Sequence, residues 1–323
     1  MSDSDDWKSD FLELLLHQTV ASFRQAIALK DKNAPDVLFK FFGATEHAFK
    51  NLSDQTVFLA SPEQFNDPYD SGLTMDAVPS LRTLMGQHQS LELDNLQKLG
   101  FSVSDLQDLL EGKMSTQARA IMGSAGTGMP AEEVERFVEL FPKIMQQVNQ
   151  ELLVDQRLQP FFQKGLKVAC FSEKASSLLL WAHYAAQHKG FCVEYGYRDM
   201  PEDAPQRRLL LPVLYRQERF DMGASMHELM LGKKDFMPNH AIIAALHKAV
   251  DWAYENEWRI VNPDGREDGF TVPMRKPRAV HAGLRMLAND RQQLESICSA
   301  LGVPLRTPKL SAAKYELVIE GHP

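Results

Sequence analysis

Residues 170–197 read CFSEKASSLLLWAHYAAQHKGFCVEYGY, and the fold turns on how this stretch divides. Leu166 to Phe171 is a short apolar run of strand length. Ser172 to Ser177 is polar and predicts a turn. From Leu178 to Gln187 the apolar residues recur at helical spacing, which puts Trp181, Tyr184 and His188 on one face, Leu180 beside them, and His183 round the side. Gly190 stands where a helix stops. Phe191 to Tyr195 alternates, with Phe191, Val193 and Tyr195 to one face and Cys192 and Glu194 to the other. The unit is strand, helix, strand, and its helix carries a Trp, a Tyr and two His.

Upstream, Phe11 to Leu29 predicts one helix with an apolar stripe, and residues 1–8 read as frayed. Val37 to Phe42 predicts a strand, Thr45 to Leu52 a helix capped by Thr45, and Val57 to Ala60 a second strand. The next segment, SPEQFNDPYDSG at 61–72, is dense in turn formers. Residues 79–165 lose strand-like alternation and predict a helical insertion. Downstream, Leu209 to Tyr215 is a strand broken at Pro212, Ser225 to Leu231 a short helix, and Pro238 to Tyr254 a long helix. Glu257 to Val261 and Phe270 to Met274 alternate as strands. Ala279 to His281, the helix Ala288 to Ala300 and a last strand Lys314 to Glu320 complete the chain. The pattern predicts a mixed α+β fold: a mainly antiparallel sheet, flanking helices and a large helical insertion. The expected organisation is an N-terminal helix over 1–36 and a single domain over 37–323, interrupted at 79–165.

The chain has 323 residues, 44% of them hydrophobic, and a formal net charge of −8. That length and apolar content support a sizeable core. The acidic balance argues against a general nucleic-acid surface. Three cysteines in no paired motif fit a reducing compartment. The acidic N-terminus lacks a signal-peptide pattern and no apolar run reaches membrane length, so a cytoplasmic protein without a membrane partner is expected. Composition leaves the oligomeric state open. No GxGxxG follows the first strand, and the glycine-rich stretch at 123–130 lacks the Lys-Ser/Thr of a phosphate loop.

Three motifs, FNDPYD at Phe65–Asp70, WAHYAAQHKGFCVEY at Trp181–Tyr195 and ENEWRI at Glu255–Ile260, occur in an order that resembles an uncharacterised family of bacterial proteins with a domain of unknown function. LFKFF at Leu38–Phe42 is similar to that family's opening strand. The layout also resembles, faintly, that of ADP-ribosyltransferases. That likeness implies Lys40 as the opening polar residue, Ser172 and Tyr184 as a middle pair, and Glu257 as a late-strand glutamate. Lys40 departs from it, since an Arg or His is expected there.

Read as chemistry, Glu257 and Arg259 sit at i and i+2 of a strand and share a face, backed by Trp258 and Ile260. Glu257 is suited to hold a ribose hydroxyl or act as general base. Glu255 reads as a helix-end charge. His183 can move a proton near neutral pH, and Tyr184 can stack a ring while donating a hydrogen bond. Asn66 and Asp67 form a turn on the rim. Arg259 or Lys40 would meet a phosphate. The expectation is an enzyme pocket for a nucleotide-like ligand such as NAD, with Glu257, His183, Tyr184 and Asp67 as catalytic candidates and Lys40, Asn66, Ser172 and Arg259 as cofactor-binding ones. A metal-dependent nuclease or toxin/defence effector is the second reading, in which Asp67, Asp70, Glu194 and Glu257 must converge on a metal. A non-catalytic binding or regulatory domain is the third. No zinc is expected on Cys170, His183, His188 and Cys192, whose spacing matches no finger or ribbon.

Overall fold

A computed structural model of the chain describes residues 6–17, 19–71, 73–74, 163, 166–221, 239–263 and 268–321. The expected helices within 79–162 and at Ser225 to Leu231 lie outside the described residues. The chain forms two compact units, one of Met1–Gly72, Pro160–Arg219 and Met237–Pro323, the other of Leu73–Gln159 and Phe220–Phe236.

In chain order the elements are α1 (Asp6–Leu16), α2 (Val20–Asn33), β1 (Val37–Phe42), α3 (Glu46–Ser53), β2 (Thr56–Leu59), β3 (Leu73–Thr74), β4 (Lys167–Ser172) and α4 (Leu178–Tyr184). They continue with β5 (Phe191–Gly196), α5 (Pro205–Leu209), β6 (Leu210–Pro212), β7 (Leu214–Arg216), β8 (Phe220–Asp221), α6 (Asn239–Ala245) and β9 (His247–Ala249). The last are β10 (Glu257–Asn262), β11 (Phe270–Pro273), β12 (Ala279–Ala282), α7 (Ala288–Leu301), β13 (Leu305–Arg306), β14 (Lys309–Leu310) and β15 (Leu317–Val318). Single 3-10 turns occupy Pro62–Gln64 and Val250–Glu255. This is a mixed α+β fold. No helix among the described residues is long and apolar enough to cross a membrane.

A seven-stranded sheet in the order β13-β12-β5-β1-β4-β10-β6 forms the first unit's frame. Its pairings are antiparallel except β12 with β13. β1 pairs with β5 along its whole length, from Val37↔Gly196 to Phe42↔Phe191. With β4 it shares only Phe39↔Ser172. The far end of β4 turns instead to Ala60, which bridges Val168. The sheet is therefore split between β1, its central strand, and β4.

The two-residue period of the strands sorts side chains between two cores. Leu38, Val193, Phe171, Trp258 and Ile260 join Phe49 and Leu52 of α3 and Leu294 and Cys298 of α7 in the larger one. Phe39 and Cys192 face the other way, onto Trp181, Ala185, Leu317 and Ile319. Burying side chains of this size contributes roughly 1.5–3 kcal/mol each.

Four expectations need correction. The helix expected at Phe11 to Leu29 is two helices, beginning already at Asp6. Thr19 caps the second through a reciprocal capping box with Ser22, which stabilises a new helix start by about 1 kcal/mol and makes the break local. The helix expected at Pro238 to Tyr254 is α-helical only over Asn239–Ala245, with a separate 3-10 turn from Val250. His247–Ala249 instead becomes a parallel partner of β7, so its backbone groups find a ladder there. The helix Leu178 to Gln187 stops at Tyr184. Ala186, Gln187 and His188 all have positive φ, of 47°, 57° and 68°, a conformation costing about 1–2 kcal/mol per residue. The turn is held by Gln187 N–H to Ala182, His188 N–H to Trp181 and Gly190 N–H to Ala185, and by His188 stacked on Trp181. The last strand covers only Leu317–Val318.

Candidate functional site

The split between β1 and β4 opens a cavity of about 990 Å³. Along the split, Ala60 bridges Val168 and the Lys40 ammonium donates to the Cys170 carbonyl at 3.1 Å. Phe41, Phe42, Phe65 and Phe171 supply aromatic wall, and His47 and Lys50 stand at the exposed edge. Half-buried Tyr184 and buried Glu255, Glu257, Lys248 and Asp70 form its polar side.

Local backbone puts both glutamates there. The 3-10 turn Val250–Glu255 ends on Asn256, which is left-handed at φ 44°, ψ 57°. Asn tolerates this region better than other non-glycine residues. Its N–H donates to Ala253 and its side-chain amide to the Tyr254 carbonyl. The chain then enters β10 at Glu257. Ser172 fixes the neighbouring turn, its hydroxyl donating to the Glu255 carbonyl at 2.5 Å.

The side chains form one buried network. The Tyr184 hydroxyl donates to Glu255 Oε1 at 2.7 Å. Lys248 Nζ donates to Glu255 Oε2 at 2.5 Å and Glu257 Oε2 at 3.0 Å, with Asp70 Oδ2 at 3.7 Å. Arg259 clasps Glu257 through Nε at 2.8 Å and Nη2 at 2.9 Å, and Asp70 through Nη1 and Nη2, both at 2.7 Å. Its Nη1 also donates to the Ala245 carbonyl at 2.7 Å, tying in the end of α6. The Tyr215 hydroxyl accepts from the Glu257 N–H at 2.8 Å. Three carboxylates (Asp70, Glu255, Glu257) thus meet two cations (Lys248, Arg259), leaving one negative charge in excess.

The excess does not fall evenly. Burial works to raise the pKa of Glu257, but the Arg259 and Lys248 charges overcome it and hold it down at about 2. For Glu255 burial, reinforced by the Glu257 charge, outweighs Lys248 and the Tyr184 hydrogen bond, so its carboxyl is raised. Two carboxylates pushed apart in this way are suited to different tasks, one a fixed charge and the other a proton carrier. The Tyr184 hydroxyl is raised by burial and then by the Glu255 charge, so it acts as a neutral donor. The Cys170 thiol is pushed well up by burial and the Glu257 charge, which makes it unreactive.

Of the eight candidates read from sequence, Lys40, Asn66, Ser172, His183, Tyr184 and Glu257 line the cavity. Exposed His183 lies edge-on to Trp252. Arg259 and Asp67 do not line it. Arg259 is fully buried with every nitrogen committed to protein acceptors, so none is turned to the cavity for the expected phosphate contact. Asp67 is buried in its turn, Oδ1 accepting the Tyr69 N–H at 2.9 Å and Oδ2 without a hydrogen-bond partner among the described residues. Glu194, needed with Asp67 by the nuclease reading, pairs instead with His281 at 3.1 Å. No group of three or more His, Cys, Asp or Glu side chains among the described residues is placed to hold a metal ion. Lys248 was missed because it read as a residue of a continuous helix, and Glu255 was read as a helix-end charge. The signal for both was ENEWRI, where an Asn between two Glu permits a left-handed turn that brings both onto one ammonium.

The fold and site define an α+β protein with a ligand-sized cavity in a split sheet. The model of a family described as Protein of unknown function (DUF2971) matches residues 180–260, a span that holds Tyr184, Lys248, Glu255, Glu257 and Arg259. No curated protein and no solved structure matches the chain.

Proposed function

We propose that the cavity binds a nucleotide-like ligand and breaks its N-ribosyl bond, in the manner of an NAD-dependent ADP-ribosyltransferase or the corresponding hydrolase. The observation that carries this reading is the Glu255–Glu257 pair: two buried carboxylates with ionisation pushed in opposite directions, on a cavity with aromatic walls. A ring stacks on phenylalanine, and the surplus negative charge favours positive charge developing at the sugar carbon. The bond from that carbon to the ring nitrogen breaks with its electron pair leaving on nitrogen, so a pyridinium departs as neutral nicotinamide. An acceptor hydroxyl or water then bonds to the carbon, and its proton passes to Glu255. Tyr184 and Asn66 orient Glu255 and the ribose hydroxyls; Arg259 and Lys248 keep Glu257 ionised. A volume of about 990 Å³ is at the upper end for small-ligand sites and accommodates a dinucleotide.

Incubation of the purified chain with NAD and chromatography of the products tests this. Nicotinamide is expected, and its release is expected to be lost in Glu257→Gln with the fold intact. A purely structural network is the second reading, favoured by the complete inward commitment of Arg259. It is the better account if folded Glu257→Gln retains every activity of the wild type.

A further inference from the structure

Two features of the cavity have opposite sign. Its buried polar side carries the surplus charge of Asp70, Glu255 and Glu257 over Lys248 and Arg259. At the split between β1 and β4 stands Lys40, whose ammonium meets the Cys170 carbonyl and the faces of Phe42 and Phe171, at 5.4 and 5.2 Å, and no carboxylate among the described residues. The other lysines of the cavity are neutralised, Lys50 by Asp54 at 2.6 Å and Lys248 by its three carboxylates. A half-buried ammonium with no ion pair in contact is costly even under the pull of the more distant Glu257, and a ligand that brings an anion against it relieves that cost. A surplus carboxylate is relieved in the complementary way, by a cation.

We infer that the cavity is a dipolar receptor, taking ligands that carry an anionic phosphate for Lys40 and a positively charged ring or quaternary nitrogen for the Glu255 side. This rests on the cavity being the ligand site, and it narrows the class within the reading above. Oxidised pyridinium nucleotides fit, while their reduced, neutral-ring forms lack the charge that the carboxylates select. The phenylalanine walls suit a delocalised or quaternary cation. Burial drives the Lys40 ammonium down against the pull of Glu257, so a bound phosphate also serves to hold its proton.

Calorimetric titration of the full chain with nicotinamide mononucleotide, its reduced form and nicotinamide riboside separates the two charges. The oxidised mononucleotide is expected to bind about tenfold or more tighter than either probe that lacks one charge. Lys40→Met is expected to bring it to the level of the riboside, and Glu255→Gln to the level of the reduced form. Phosphocholine, compared with choline and with inorganic phosphate, repeats the test without a nucleotide. Preference for phosphocholine over both, with no binding of either mononucleotide, keeps the dipolar site and removes the nucleotide reading. Equal binding of oxidised and reduced forms, or no preference for any dipolar probe, overturns the inference even if NAD is cleaved.

Discussion

Glu255 and Glu257 stand on either side of a left-handed Asn256 and share one ammonium, Lys248 Nζ, at 2.5 and 3.0 Å. Lys248 alone cannot neutralise both. Arg259 adds its charge to Glu257 only, and this asymmetry makes one glutamate a fixed anion and leaves the other a raised carboxyl.

Arg259 is the keystone for stability. Its replacement by Met leaves Asp70 and Glu257 buried and short of partners, and breaking such a pair costs about 3–5 kcal/mol. Urea denaturation is expected to show a loss of that order for Arg259→Met. A loss below about 1 kcal/mol would mean that the network contributes little to folding.

The same network dictates acid sensitivity. The folded-state value for Glu257 lies at about 2, below the roughly 4.3 of an unfolded glutamate. Its stabilisation is complete above the unfolded value and is lost as pH falls through the folded one. The urea midpoint is therefore expected to fall between about pH 4.3 and pH 2, with a shallower slope in Glu257→Gln. An unchanged slope in the variant would assign the acid transition to other groups.

Tyr184→Phe removes the hydroxyl that donates to Glu255 at 2.7 Å. That bond lowers the carboxyl, so its loss moves Glu255 further up. If Glu255 receives the proton in its basic form, the acid limb of the pH–rate profile is expected to shift to higher pH, with a rate loss of about ten- to a hundredfold. A lower rate with an unmoved limb would make the Tyr184 contact a matter of packing.

Gly190 marks a close approach of backbones. A Cβ there would lie 1.9 Å from the Phe42 carbonyl oxygen, so Gly190→Ala must push β1 and β5 apart. Such overpacking costs about 1–3 kcal/mol, which thermal denaturation would register. A variant as stable as the wild type would contradict the observed register of Phe42 with Phe191.

The parts of this site that were legible in sequence follow from strand periodicity. Glu257 and Arg259, at i and i+2, do share a face, and Trp258 does pack on the opposite one. Lys248 was not legible, because its strand exists only through pairing with β7, a contact between segments distant in sequence. Nor was the split sheet: β1 and β4 read only as apolar runs of strand length, which a paired and a parted strand share, and only the bridge of Val168 to Ala60 shows that they part. Arg259 lies on the expected face, but its pairing with Asp70 was not legible, since that partner comes from a turn 189 positions away.

The most direct measurement is nicotinamide release from NAD by the wild type, Glu255→Gln and Glu257→Gln, each shown by its denaturation curve to be folded. Release by the wild type, with a loss of about a hundredfold or more in both variants, is the expected result. No release by the wild type, or release undiminished in both folded variants, would contradict the assignment of this carboxylate pair to N-ribosyl cleavage.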